Sequence, residues 1–256
     1  MERIVYLYTD YGLTILEERN QAHERMPVMI IGAGPDAFIG PTAWIPNLLA
    51  SNCFELRYAA PSRDPQKVEM FIRNYGAQIA THEDYKEILK AIPVLDGSIH
   101  DLVVCICTET HHHAEQIKFC IKAGVKQIIM DKPPVSSWEE WEEIADLADE
   151  SNCLLLVSFQ HTMNSPTWEI AQRVEQFLED GNAPSDVSIE AAFLQDWLYQ
   201  PGSQEECRQL WRLDSKWCGV LDIATHAADG ASVVAGSAIT KAVSYTHLTL
   251  PTIYSV

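Results

Sequence analysis

Strand and helix signals alternate along the first two thirds of this chain, and that alternation restricts its fold more than any other feature. "VMIIGAG", from Val28, is a continuous apolar run ending in glycines, as expected of a strand buried on both faces. A helical pattern, "PTAWIPNLLASN", follows; its Pro46 lacks a backbone donor and delays or kinks the helix. "FELRYAA" reads as a second strand. "DPQKVEMFIRNYG" reads as a helix with Asp64 as N-cap, Pro65 at its first position and Gly76 at its end. "THEDYKEILKAI" is a further helix, "HDLVVCICT" a strand, "HHHAEQIKFCIKAG" a helix closed by Gly124, and "VKQIIM" a strand. "SWEEWEEIADLADES" is an acidic amphipathic helix whose Trp138 and Trp141 are expected to pack inward, and "CLLLVSF" completes the series. This spacing predicts right-handed crossover units, and so a doubly wound parallel α/β sheet covered by helices.

After about Gln160 the alternation weakens. A helix ("SPTWEIAQRVEQFLEDG"), a strand ("SDVSIEAAFL") and a loop rich in Gln, Pro and Trp lead to a helical stretch, "GVLDIATHAADGASVVAG". A second domain is therefore expected to begin near His161, giving a first domain over residues 27–160 behind an N-terminal extension, residues 1–26.

"GAGPDA" fits G-x-G-x-x-G/A on Gly32, Gly34 and Ala37. The first glycine permits a tight turn, the second lets backbone approach a pyrophosphate, and the third small residue allows close helix–strand packing. The pattern follows a strand, opens a helix and heads an alternating series, which is the context a dinucleotide-binding turn of Rossmann type requires. The second strand then runs into "AAPSRDP". Where an acid would hold a ribose 2′-hydroxyl stands Ser62, with Arg63 beside it. A guanidinium suits a 2′-phosphate, so NADP is favoured over NAD.

The formal net charge is −18, from 36 acids against 18 Lys and Arg. That opposes a nucleic-acid or anionic-membrane partner, both of which need an extended basic surface. No apolar stretch reaches membrane-spanning length, and the N-terminus does not have the pattern of a secretory signal. Seven cysteines form no C-x-x-C pair and read as free thiols of a reducing compartment, with cytoplasm as the expected location.

In "KQIIMDKPPVSSW", Lys132 ends a strand between an acid and two prolines. Proline disfavours helix at the residue before it, so Lys132 is held extended at the carboxyl end of a parallel strand, where such sheets place ligands. Asp222 and His226 are four apart on an expected helix and share one face, which Asp229 continues. Trp197, in "QDWLY", could stack on the apolar face of a sugar. The run His111–His112–His113 invites a metal reading, but consecutive helical residues point about 100° apart and cannot all face one ion. No metal is assigned, and His113 is expected to face the cleft.

The glycine turn, "TETHHH", "DKPP" and "LDIATHAAD", in that order, resemble the oxidoreductase family of glucose–fructose oxidoreductase, inositol dehydrogenase and the rhizopine catabolism protein (Gfo/Idh/MocA). "FLQDW" is similar to a Gln-Asp-Trp segment in one branch of it. Asp131 stands where the family has Glu, and Glu109 and Thr110 where it has Pro and Asn. The resemblance implies hydride transfer between NADP or NAD and a secondary alcohol of a sugar, cyclitol or related polyol. It implies Lys132 as the polarising group, His226 as general base and Asp222 as its orienting carboxylate. Gly32, Gly34, Ala37, Phe38, Ile39, Ser62, Arg63, Thr108, His113, Asp131 and Lys132 would hold cofactor, and His161, Trp197 and Asp229 would meet substrate. A glycoside-cleaving relative that oxidises transiently, and a non-catalytic sugar sensor, are the alternatives.

The family's second domain is an open, largely antiparallel sheet through which relatives often form homo-oligomers. Here the sequence changes character near its end: "SYTHLTLPTIYSV" lacks acids and resembles translated adaptor sequence. The expectation is a partial α+β domain over residues 161–243 and a non-native tail over residues 244–256.

Overall fold

The computed structural model describes residues 25–37, 39–95, 99–159, 165–184, 187–191, 224–237 and 239. The chain divides into two compact units between Ser158 and Phe159.

The first unit is built on a parallel sheet of six strands: β1 (Met26–Ile31), β2 (Phe54–Ala60), β3 (Ala80–Thr81), β4 (Val103–Ile106), β5 (Gln127–Asp131) and β6 (Leu154–Ser158). Their order is β3-β2-β1-β4-β5-β6, so the direction of winding reverses between β1 and β4. Between the strands run α1 (Ile45–Ala50), α2 (Pro65–Tyr75), α3 (Tyr85–Leu95), α4 (Thr110–Lys122) and α5 (Trp138–Ser151). Two apolar clusters cover the two faces. One joins Met29, Ile31, Val104 and Met130 to α3, α4 and α5; the other joins Val28, Ile30 and Cys105 to α1 and α2. The observed architecture is the doubly wound α/β sheet that the alternation predicts.

Residue chemistry accounts for the boundaries. Asp64 caps α2 by accepting the Gln66 amide at 2.9 Å, Pro65 stands at the first position, and Gly76 ends the helix at φ +99°. Ser137 caps α5, accepting from the Glu140 amide at 3.2 Å while the Glu140 side chain accepts from the Ser136 amide at 3.0 Å. Pro46 acts one turn upstream of α1: Gly40–Trp44 forms a widened π turn, in which the Ile45 amide donates to the Gly40 carbonyl.

Three details differ from expectation. The helix expected from Thr81 starts at Tyr85, because Ala80 and Thr81 pair with Tyr58 and Ala59 as the edge strand β3. In β2, Arg57 is an extra residue opposite the Val28/Met29 step. This bulge sends Leu56 to one core cluster and Tyr58 to the other, although they are two apart. Trp141 packs against the core beside Ile144 and Ala148, whereas Trp138, at the first position of α5 and one turn beyond that stripe, is 63% exposed.

The second unit contains α6 (Ser165–Glu179) and α7 (Thr225–Ala235), which pack on one another. Gly236, in the left-handed region at φ +59°, ends α7. Of the expected strand over residues 185–194, the described stretch 187–191 lies in no ladder. Among the described residues no helix is long and apolar enough to cross a membrane.

Candidate functional site

In an open parallel sheet, ligands bind outside the carboxyl ends of the strands where the winding reverses. Here that point lies between Ile31 of β1 and Ile106 of β4, which pair in register. The glycine turn leaves β1 at this point. Gly32 adopts φ +89°, and a Cβ built on it would lie 2.4 Å from Thr108 Cγ2 and 2.7 Å from the Thr108 nitrogen. The turn is thus pressed against the end of β4. A Cβ on Gly34 would lie 2.9 Å from the Pro61 carbonyl oxygen, so the second glycine brings the turn against the end of β2. The Ala37 amide closes the turn on the Gly34 carbonyl at 2.9 Å.

A further small residue, beyond the three of the motif, packs closely on the turn. A Cβ on Gly40 would stand 2.7 Å from both the Cα and Cβ of Ala33. Gly40 therefore allows the helical segment to approach the turn. Ile39 precedes that segment and packs partly buried against the α1/α2 cluster; Phe38 lies outside the described residues.

At the end of β2, the Ser62 hydroxyl accepts the Asp64 amide at 3.1 Å, and Arg63 is exposed beside it. The turn carries one acid, Asp36. Lys67 of α2 holds it in an ion pair at 2.7 Å, which offsets a negative charge where a phosphate would approach; the Asp36 carboxylate raises the Lys67 pKa in return. Neither Gly40 nor the Asp36–Lys67 pair is legible from spacing alone, because both depend on how far the turn runs before the helix starts.

The far wall is Thr108 and α4. The Thr108 hydroxyl donates to Oε1 of the buried Gln116 at 2.6 Å. His113, expected to face the cleft, is instead 1% exposed. Its Nε2 lies 2.9 Å from the Thr108 carbonyl oxygen and its Nδ1 3.2 Å from that of Pro134, so main chain occupies both nitrogens. Burial holds its pKa below the usual imidazole value, against the opposing pull of those carbonyls. Asp131 is the last residue of β5, paired with Ser158. Lys132 follows it, half-buried, and the Lys132–Pro133 peptide is cis.

Glu109, His111 and His112 each bring a ligand atom within 4.8 Å of the others. The triple-histidine run thus gathers two of its rings and a carboxylate, while the third ring, His113, is buried elsewhere. It lies at the positive end of α4, and burial lowers the His112 pKa, with the neighbouring His111 and then the Arg63 cation adding to that. Both features oppose a divalent cation. Cys105, Cys107, Cys120 and Cys153 are free thiols, and burial pushes Cys105 up to about 12.

In the second unit His226, at the second position of α7, is 5% exposed and meets the Phe159 ring edge-on at 6.0 Å between centroids. Asp229 follows it on the same helix. His161, Trp197 and Asp222 lie outside the described residues.

A reversing parallel sheet, with a glycine turn wedged between the ends of β2 and β4, defines a dinucleotide-binding α/β domain. A profile of the Gfo/Idh/MocA family, described as an oxidoreductase family with an NAD-binding Rossmann fold, matches residues 26–159. The chain belongs to that family of NAD(P)-binding oxidoreductases. No curated protein matches it. Among solved structures, an oxidoreductase from Sinorhizobium meliloti is similar at 26% identity and TM-score 0.61, over 83% of this chain and 53% of that one. An inositol dehydrogenase homolog from Azotobacter vinelandii, complexed with NAD+, has 19% identity and TM-score 0.65, over 82% of this chain and 54% of that one. A 3-ketoreductase from Actinomadura kijaniata, in complex with NADP and TDP-benzene, has 22% identity and TM-score 0.50, over 60% and 43%. This chain therefore spans about half the length of the solved relatives it matches.

Proposed function

We propose that the chain carries the cofactor domain and part of the substrate domain of a dehydrogenase for a secondary alcohol of a sugar, cyclitol or related polyol, with NADP favoured over NAD. The observation that carries this reading is the glycine turn packed between the strand ends at the point of reversal. With no side chain at Gly32 or Gly34, the main chain of the turn lies directly against Thr108 and Pro61. A glycine turn held this close to both strand ends is the arrangement in which backbone approaches a pyrophosphate. Bound there, a nicotinamide dinucleotide supplies the hydride acceptor or donor.

The chain's own residues then supply position and proton handling. Ser62 and Arg63 stand at the end of β2, where donors would meet a 2′-phosphate. Lys132, one residue beyond β5, presents a cation at the strand ends, suited to polarising a substrate hydroxyl or holding the cofactor ribose. His226 is the general base in this reading, since imidazole accepts a proton near neutral pH. Asp222 orients it, and His161, Trp197 and Asp229 are the substrate contacts.

The test is fluorescence titration with NADPH and NADH, followed by a polyol and sugar panel assayed for dinucleotide reduction. Lys132→Met and His226→Ala should each cut turnover by about 10²-fold or more, and His226→Ala should keep dinucleotide affinity within a few-fold. Wild-type turnover in His226→Ala would remove that residue as base. Failure of both dinucleotides to bind would remove the function.

A further inference from the structure

From the geometry around His113 we infer that this residue is a positioning clamp, which fixes the Lys132 loop to the wall of the glycine turn. Contacts on both sides carry the inference. Thr108 is the residue against which Gly32 packs, and its carbonyl lies 2.9 Å from His113 Nε2. Pro134 is two residues after Lys132, and its carbonyl lies 3.2 Å from His113 Nδ1. One buried ring therefore touches both the end of β4 and the loop after β5, reaching Pro134 21 residues along the chain from itself. Gln116, one turn along α4, holds the same Thr108 through its hydroxyl.

The chemistry of the two contacts is unusual. Carbonyl oxygens only accept, and a neutral imidazole carries a single N–H. A neutral ring hydrogen-bonds one of the two carbonyls, and imidazolium bonds both; the loop is bonded whenever Nδ1 carries a proton. In either state the ring is held in one orientation, with no nitrogen left for a ligand. A residue that only filled space would need no such pairing of acceptors, and Ile117, on the same helix, fills space with no polar atom.

That the clamped loop matters to reaction rests on the role proposed above for Lys132; the clamp itself does not. The test is amide hydrogen exchange on the whole chain, read at Val135, Ser136 and Ser137, with His113→Ala compared against Ile117→Val as a packing control. His113→Ala should speed exchange at those three amides at least tenfold, and leave β1 and β4 within threefold of the unsubstituted chain. Ile117→Val should spread its effect along α4. Equal loop exchange in the two variants, or acceleration spread evenly over the sheet in His113→Ala, would overturn the clamp. A second readout is nitrogen-15 histidine NMR. A fixed Nδ1–H tautomer or a doubly protonated ring, either of which bonds the Pro134 carbonyl, supports the clamp; a fixed Nε2–H tautomer or a freely averaging mixture overturns it. Dinucleotide titration of the unsubstituted chain judges the proposed function separately, because loop exchange needs no ligand.

Discussion

Replacing Gly40 with alanine sets two opposing effects against each other. Gly40 lies in a helical turn without a positive φ, so backbone entropy alone favours alanine there, by about 0.4–1 kcal/mol. The added methyl, however, would stand 2.7 Å from both the Cα and the Cβ of Ala33. Ordinary carbon–carbon contact begins near about 3.5 Å, so the helical segment or the turn must shift by most of an ångström. Ala33 is fully buried and backbone on both sides is fixed, so the shift is an overpacking strain of about 1–3 kcal/mol. The expected balance is a loss of about 1–2 kcal/mol, or a fall in Tm of about 3–8 °C for a unit of this size. Because Ala33 lies between the two glycines of the turn, the same shift should weaken dinucleotide binding several-fold. Thermal melting and NADPH titration of Gly40→Ala, beside Ala50→Ser at the exposed end of α1 as a control that leaves both unchanged, make the measurement. A Gly40→Ala variant as stable as the parent, or a larger effect from Ala50→Ser, would refute the assignment of close packing to Gly40.

Arg63→Ala should weaken NADPH by about tenfold or more, the worth of a charge-assisted hydrogen bond, and leave NADH within threefold; equal losses for both in fluorescence titration would remove the 2′-phosphate role. The Tyr85 hydroxyl is buried with no hydrogen-bond partner among the described residues, so Tyr85→Phe should stabilise by about 1 kcal/mol, read as a higher urea midpoint. The Lys86 ammonium lies 2.7 Å from Glu115, and that hydrogen bond holds the Glu115 carboxyl below the usual carboxylate range. A depressed folded-state pKa contributes stability above the unfolded carboxylate pKa and loses it as pH falls through the folded one. Glu115 is 60% exposed, so Glu115→Gln should cost under about 1 kcal/mol at pH 7 in urea unfolding, with the difference closing between about pH 5 and 3.

The parts of the fold legible in the sequence are those set by local chemistry. The α2 boundaries follow from Asp64, Pro65 and Gly76, and the buried parallel strands follow from unbroken apolar runs. What is not legible there depends on partners distant in sequence. β3 is two residues long and exists because β2 offers an edge. The Arg57 bulge shows only against β1, since nothing in "FELRYAA" marks which residue is surplus. Trp138 fits the inward stripe of α5 by spacing, yet it sits at the helix end beyond what the core reaches. Among site residues, the turn glycines and the strand-end Lys132 were readable because strand ends and turns are. The ring of His113 was not, since its partners are main-chain carbonyls that any sequence would present.

That distinction also bears on the segment "TETHHH". The positions that differ from the family pattern, Glu109 and Thr110, are the N-cap and first residue of α4, and the Glu109 side chain makes no capping bond. Its carboxylate reaches the exposed His111 ring at 3.5 Å instead. The positions that agree, Thr108 and His113, are those that build the wall against which Gly32 packs. Substitution at the helix entry therefore changes charge at the rim while the wall keeps its geometry. The consequence is a separable pair of effects: Glu109→Gln should alter only the electrostatics felt by a ligand near His111 and His112. Loss of the Thr108 hydroxyl strands Gln116, a buried side chain 6% exposed, and should disturb the turn itself.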